Sequence, residues 1–329
     1  MPSCAPMSRK VDEAVPARDV VEVAIEKLVT GGLGLARHAG LTVLVPLSAP
    51  GDRLRVRLVE RRASWARGEI LELLEPGPGR REAPCPHFLR CGGCDLQHLD
   101  EATQLRLKVE AAIETLARLG GVRLDRPPAV VAGSPWGYRR RAQLHVEAGR
   151  AGVRLGQLAR GSHELVPLDV CPILVPALEA TLRELPARLA SAPLAADRQA
   201  RLELAAGDGG SWSARLDGSA LTGGPVEVRV GPFTYGFDAG CFFQAHAGLL
   251  EALVAAALGP TDDARDDATG DAADLFAGVG LFTLPLAARH ARVHAVEADP
   301  IAAGFLADNA ERNRVPNVSV HAEIGRAHV

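Results

Sequence analysis

The chain has 329 residues, 47% of them apolar and 23% charged, with a formal net charge of -3. That length suggests two or three domains, since single cores rarely grow beyond about 250 to 300 residues. No apolar run approaches the roughly 18 residues of a membrane span and residues 1–19 lack the apolar core of a signal peptide, which argues against a membrane or secreted protein and for a cytoplasmic one.

The net charge hides an asymmetry. Residues 1–160 hold 25 Lys and Arg against 18 Asp and Glu, whereas residues 161–329 hold 12 against 22. A basic front half suggests a polyanionic partner, with nucleic acid the obvious candidate. Residues 1–19, rich in Pro, Ala and charge, read as a disordered tail.

From Val21 to Leu74 short alternating apolar runs are broken by Gly31-Gly32, His38-Ala39-Gly40 and Pro50-Gly51-Asp52. The pattern predicts five strands, at Val21–Lys27, Leu33–Arg37, Leu41–Val45, Arg53–Val59 and Gly68–Leu73, and a small barrel of OB type over residues 20–76. Period-2 alternation turns Leu54, Val56 and Leu58 inward and sets Arg53, Arg55 and Arg57 on one outer face. Such a face can track phosphates, so RNA contact is preferred over plain solvation.

Pro76–Gly79 reads as a linker into a central domain, residues 77–258. Cys85, Cys91 and Cys94 follow at C-x5-C-x2-C spacing, with Cys171 far downstream. A reducing compartment disfavours disulfides, and core packing gives no reason for such recurrence, so the four read as metal ligands. Four thiolates suit tetrahedral zinc and an iron-sulfur cluster equally. Cys4 and Cys241 read as incidental thiols.

Helical spacing over Leu99–Leu119 predicts a helix with Leu105, Val109, Ala112, Ile113 and Leu116 facing the core. Tyr138–Val146 reads as a strand leaving a basic patch of Arg139, Arg140 and Arg141. Strands are expected at Ala151–Gly156 and Leu165–Leu168, a helix over Val175–Leu189, and strand-like alternation from Gln199 to Val230. Phe233–Gln244 reads as a turn-rich approach to a helix at Ala247–Ala257, and the aspartate-rich Thr261–Asp271 as a solvated linker.

Asp274-Leu-Phe276-Ala-Gly278-Val-Gly280-Leu281-Phe-Thr283 then reads as strand, glycine turn and helix start, followed by a second strand ending at Glu297, 19 positions beyond Gly278. The glycines admit close approach of a ligand and the acid can accept hydrogen bonds from ribose hydroxyls. A dinucleotide fingerprint wants a third glycine where Thr283 stands. The order Asp-x-Phe-x-Gly-x-Gly favours S-adenosyl-L-methionine over NAD, being similar to class I methyltransferases.

Five landmarks together, the cysteine run Cys85–Cys94 with its following Leu-Gln-His98, Gly137–Ala142, Cys171–Pro176, Phe242-Phe-Gln244 and Asp274–Leu286, resemble the RNA 5-methyluridine (uracil-C5) methyltransferase family. The resemblance runs from about Val21 to Val320, to members with a TRAM barrel and an iron-sulfur cluster. It implies an α/β protein with an OB-like TRAM barrel, an α+β central domain in which Cys85, Cys91, Cys94 and Cys171 hold a 4Fe-4S cluster, and a Rossmann-like domain over residues 259–322. Gln244, Phe276 and Glu297 match residues that contact the methyl donor, with Asp274, Gly278 and Gly280 shaping its site. Leu281, expected among the cofactor-binding residues, matches a position where some relatives carry a cofactor-contacting Asn, and His246 also stands where Asn is common.

The implied reaction is S-adenosylmethionine-dependent methylation of uridine C5 in RNA, 23S rRNA before tRNA, by a monomer. A cysteine thiolate adds to C6 of a flipped-out uracil, C5 attacks the methyl group and a carboxylate removes the C5 proton. In the family that thiol and that acid lie C-terminal to the part present here, so a C-terminally truncated, inactive chain with a poorly covered donor sheet is expected. Ile324–Val329 resembles a translated sequencing adapter, and residues 323–329 read as non-native. Other readings are a non-catalytic RNA-binding module and a zinc structural protein.

Overall fold

The computed structural model describes residues 19–149, 152–190, 199–259 and 270–322. Residues 1–18, most of Thr261–Asp271 and 323–329, read above as tail, linker and non-native end, lie outside the described residues. The chain divides into two compact units, Met1–Pro84 with Cys94–Pro128, and Cys85–Gly93 with Ala129–Val329. No helix among the described residues is long and apolar enough to cross a membrane.

The first unit is built on six strands, β1 (Val20–Ala24), β2 (Lys27–Val29), β3 (Leu33–His38), β4 (Leu41–Pro46), β5 (Arg53–Arg61) and β6 (Trp65–Glu75), in the order β1-β5-β6-β4-β3-β2. The expected first strand, Val21–Lys27, is broken at Ile25–Glu26. There the Ile25 N–H donates to the Asp52 carbonyl and the Glu26 N–H to the Leu35 carbonyl. One bent chain thereby supplies both edge strands of the sheet, which encloses Val23, Ile25, Ala36, Val43, Val45, Leu54 and Val56.

Helix α1 (Glu101–Leu119) starts at Asp100, whose side chain accepts the Thr103 N–H. Its expected apolar stripe is not the face that packs. Leu107 and Ala111 are buried, Thr115 meets Thr30 at 2.6 Å and Glu114 pairs with Lys27 at 2.6 Å. Leu105 and Leu116 stay exposed. Val109 and Ile113 are half-buried, so the stripe is only partly covered.

The second unit contains a six-stranded antiparallel sheet of β7 (Arg141–Gly149), β8 (Gly152–Leu158), β9 (Leu165–Pro167), β10 (Gln199–Ala206), β11 (Trp212–Leu216) and β12 (Ser219–Thr222), ordered β12-β11-β10-β7-β8-β9. Helix α2 (Pro176–Leu189) buries Leu178, Leu182, Leu185 and Leu189 against Leu144, Val146, Leu202 and Leu204. β13 (Val226–Val230) and β14 (Phe233–Phe237) then form a hairpin. The turn-rich reading of Phe233–Gln244 is therefore corrected, since its first five residues pair with β13 in spite of Gly236.

After α3 (Leu250–Leu258) come β15 (Asp271–Leu275), α4 (Thr283–Ala287), β16 (Arg292–Val296), α5 (Pro300–Arg312) and β17 (Val318–His321), with the three strands parallel in the order β15-β16-β17. Alternating strands and helices in a parallel sheet match the Rossmann-like expectation. The helices do not lie bare. Val226, Val228, Val230, Tyr235, Phe237 and Phe243 share one core with Val279, Leu281, Leu284, Ala302 and Ala310.

Candidate functional site

At the end of β15 the backbone turns through positive φ at Phe276 (63°), Gly278 (55°) and Gly280 (96°). Glycine takes that conformation freely, but a phenylalanine there stores about 1 to 3 kcal/mol, a strain typical of ligand sites. The strain projects the Phe276 side chain, 92% exposed, into solvent. Close packing behind the loop explains Gly280, since a Cβ there would stand 3.2 Å from Leu306 Cγ.

Glu297, just past β16, faces this loop. Its Oε2 accepts the Gly278 N–H at 2.7 Å and its Oε1 the Asp299 N–H at 2.8 Å. The carboxylate thus fixes the loop and keeps further lone pairs for a ligand. Asp299 caps α5 by accepting the Ile301 N–H at 2.8 Å.

Asp274 lies beneath, where Thr283 Oγ1 donates to its Oδ2 at 2.6 Å. Burial raises the Asp274 pKa above the ordinary carboxylate value, the Thr283 hydrogen bond opposes this, and the Glu297 charge adds to the rise. The folded state therefore holds this proton more tightly than the unfolded chain. Asp274 favours folding most below its unfolded pKa, and that contribution is lost as pH rises through the folded one. Asp274→Asn keeps an acceptor for Thr283 without titrating. Relative to wild type it is expected to gain stability as pH rises through the acid range and to level off towards neutrality. Denaturation midpoints across that range check this, and a pH-independent difference would contradict it.

Gln244 is half-buried on a segment that runs beside the loop, the Phe242 carbonyl lying 3.9 Å from where a Gly278 Cβ would be. Phe242 is 66% exposed, with the Arg141 guanidinium 5.9 Å from its ring centroid. Leu281 departs from its expected place. It is only 6% exposed and belongs to the core, while its carbonyl accepts the Tyr235 hydroxyl, so its side chain turns away from the loop. Cys241 is buried with its Sγ 3.6 Å from Asp238 Oδ1, and burial pushes its pKa up to about 12. A thiol so protonated is a poor nucleophile.

Gly137–Arg141 is the junction of three landmarks. Gly137 and Arg139 donate backbone N–H groups to Pro172 and Ile173, and the Arg139 carbonyl accepts from Val175. On the other edge Arg140 donates to Ala245, and Ala247 donates to the Tyr138 carbonyl. The Tyr138 ring stacks on His246, centroids 4.7 Å apart. The three arginines do not form one exposed patch. Arg140 is buried with Asp208 3.5 Å away, and Arg141 donates to the Ala239 carbonyl at 3.0 Å. Burial lowers both pKa values below the usual guanidinium range.

The arginines of β5 are also engaged. Arg53 pairs with Glu75, and Arg55 pairs with Glu72 and, at 3.3 Å, with Glu22. Arg57 makes no ion pair among the described residues.

Cys85, Cys91 and Cys171 belong to the second unit and Cys94 to the first. The Cys85–Cys91 loop is tied towards Cys171 by His87, whose Nε2 lies 2.9 Å from Asp169 Oδ1. It is also held to β8, where the Gly92 N–H donates to the Leu158 carbonyl. Cys91 and Cys171 both pack against the sheet and α2 core, and the Gly93 N–H donates to Cys91 Sγ at 3.4 Å. No set of three or more His, Cys, Asp or Glu among the described residues is gathered in metal-holding geometry.

Residues 21–78 match the family model for the TRAM domain of tRNA (uracil(54)-C(5))-methyltransferase, and residues 266–326 that for the TRM5/TYW2 methyltransferase domain. The 23S rRNA (uracil(1939)-C(5))-methyltransferase RlmD of Pectobacterium atrosepticum is 34% identical over 93% of this chain and 74% of its own length. Its counterpart from Alkalilimnicola ehrlichii is 34% identical over 92% and 76%. The crystal structure of Pyrococcus abyssi tRNA (uracil-54, C5)-methyltransferase in complex with S-adenosyl-L-homocysteine, 20% identical, superposes with a TM-score of 0.67 over 93% of this chain and 81% of its own, and so shares the fold. With these relatives aligned along nearly its whole length, a TRAM domain at one end and a methyltransferase glycine loop at the other, the chain belongs to the RNA uracil-C5 methyltransferase family.

Proposed function

We propose that this protein binds S-adenosyl-L-methionine on the Phe276–Gly280 loop and serves the methylation of uridine C5 in 23S rRNA. The observation that carries the donor assignment is Glu297, held at 2.7 Å to the Gly278 amide where it can accept both ribose hydroxyls. Phe276 offers an aromatic face to the adenine and Gln244 a polar group from the segment beside the loop. Phe242, with Arg141 above it, offers a stacking face to an unpaired base. The thiolate and base of the transfer itself are roles that the resemblance assigns to no residue from 1 to 329.

Arg53, Arg55 and Arg57, with Arg139, are the RNA contacts of this reading, Arg140 being buried and Arg141 tied to the Ala239 carbonyl. Because Glu72, Glu75 and Glu22 occupy two of them, RNA must displace exposed ion pairs, each worth little in water, and binding should fall steeply with salt. Ribosomal RNA is favoured over tRNA because the relatives aligned along most of the chain are named for 23S rRNA. Gel-shift titrations of a 23S rRNA fragment and of tRNA, each with S-adenosylhomocysteine present, test the reading. Tighter binding of the 23S fragment is expected; tighter binding of tRNA, or of neither, would overturn it.

Cys85, Cys91, Cys94 and Cys171 are proposed as ligands of a 4Fe-4S cluster. The donor set fits, being four thiols of which one already accepts a backbone N–H, as sulfur ligands of clusters do, and the His87 to Asp169 contact holds two of their segments together. Bound there, the cluster would crosslink the Cys85–Cys91 loop to the segment before α2. Anaerobically purified protein is expected to contain about four irons per chain and to be brown. A colourless protein containing zinc would refute the assignment.

A further inference from the structure

We infer that Asn309 is a positioning residue for the methyl-donor site, an inference that rests on reading the Gly278–Gly280 loop as that site. Asn309 lies on α5, is fully buried and uses its whole amide. Its Oδ1 accepts the Gly236 N–H at 2.7 Å, and its Nδ2 donates to the Gly236 carbonyl at 3.0 Å and to the Val279 carbonyl at 3.0 Å. The first two bonds copy a β-ladder pair, so the side chain stands in for a neighbouring strand on β14. The third grips the peptide between the two positive-φ glycines.

That peptide is where the loop most needs holding. Gly278 and Gly280 place few steric limits on their own backbone, so the loop's shape must come from contacts. Glu297 fixes its front edge through the Gly278 amide, and Asn309 fixes its rear through the Val279 carbonyl. The same side chain grips β14, from which the chain runs on to Phe242 and Gln244. One amide thereby sets the loop and the root of the segment that faces it.

One helical turn further on, Asn313 provides an internal control. Its Oδ1 accepts the Thr234 N–H at 2.9 Å, and its Nδ2 donates to the Thr234 and Asn309 carbonyls, each at 2.7 Å. It makes the same clasp on β14 and touches nothing in the loop. Removing either amide strands buried backbone groups and costs stability. Only the loss of Asn309 frees the Val279 carbonyl.

The experiment measures S-adenosylhomocysteine affinity by calorimetry for the full chain and for Asn309→Ala, Asn309→Ser and Asn313→Ala, well below the lowest unfolding midpoint. Asn309→Ser, whose hydroxyl stands about where the amide carbon was and so falls short of both Gly236 and Val279, keeps a polar group in the buried site and serves if the alanine variant does not fold. The Asn309 variants are expected to bind about tenfold more weakly, as befits one lost buried hydrogen bond, while Asn313→Ala melts earlier but binds within about twofold of wild type. Equal affinity losses at both positions, or none at Asn309, would overturn the inference. Failure of the wild type to bind would instead refute the donor reading beneath it.

Discussion

Glu297→Ala is expected to weaken S-adenosylmethionine binding roughly 100-fold, the equivalent of about 3 kcal/mol or two charge-assisted hydrogen bonds. Both carboxylate oxygens already hold backbone amides, Gly278 at 2.7 Å and Asp299 at 2.8 Å. Truncation therefore removes the acceptor for the ribose and loosens the loop that must enclose the rest of the donor. Glu297→Gln sharpens the test. Its amide group must point N–H at one of those two N–H donors, so a neutral side chain of the same shape cannot restore the site. Glu297→Asp keeps the charge but draws it back by one methylene. Calorimetric titration of the three variants should rank all of them well below wild type, and unchanged affinity in the glutamine variant would mean that the carboxylate is structural only.

Asp52→Ala is expected to cost the barrel about 3 to 5 kcal/mol, the range for breaking a buried ion pair from one side. The Asp52 side chain is fully buried and accepts four donors, the Ala49 N–H at 2.6 Å, the Gly77 N–H at 2.8 Å, and Arg80 Nε and Nη2 at 2.9 and 2.7 Å. Its backbone carbonyl meanwhile accepts the Ile25 N–H at the bend that joins β1 to β2. Alanine leaves two amides and a guanidinium without their acceptor in the place where the chain crosses between sheet edges. Amide hydrogen exchange over Val43–Val45 and Leu54–Val56 reports the loss. Adding Arg80→Met should restore part of it, because it removes the half-buried cation left without its carboxylate. A double variant no more stable than Asp52→Ala would show that the amide acceptor, and not the ion pair, is what matters.

What could be read in advance was whatever short-range pattern encodes. The alternation of β5 and the strand, glycine turn and acid of residues 274–297 follow from periodicity and spacing alone, and the fold keeps both. Long-range pairing was not legible. Glu75 and Glu72 lie 22 and 17 residues from the arginines they neutralise, so a row of arginines read as free charge. The α1 stripe misled because apolar periodicity names a face without naming its neighbour, and the neighbour chose Leu107, Ala111 and Thr115. Arg140 looked like surface because it sits in a run of three, yet its backbone is paired on both sides, with Ala245 and Ala206, in a place where its side chain is buried. Asn309 and Asn313 carried a faint signal, two residues of poor helix propensity one turn apart on one face, which points to side chains with work outside the helix.

The most direct test of the donor site is calorimetric titration of this chain with S-adenosylmethionine and, separately, with NAD. Saturable binding of one S-adenosylmethionine per chain, competed by S-adenosylhomocysteine and lost in Glu297→Ala, is the predicted result. Binding of NAD in its place, or S-adenosylmethionine binding that Glu297→Ala leaves intact, would contradict it.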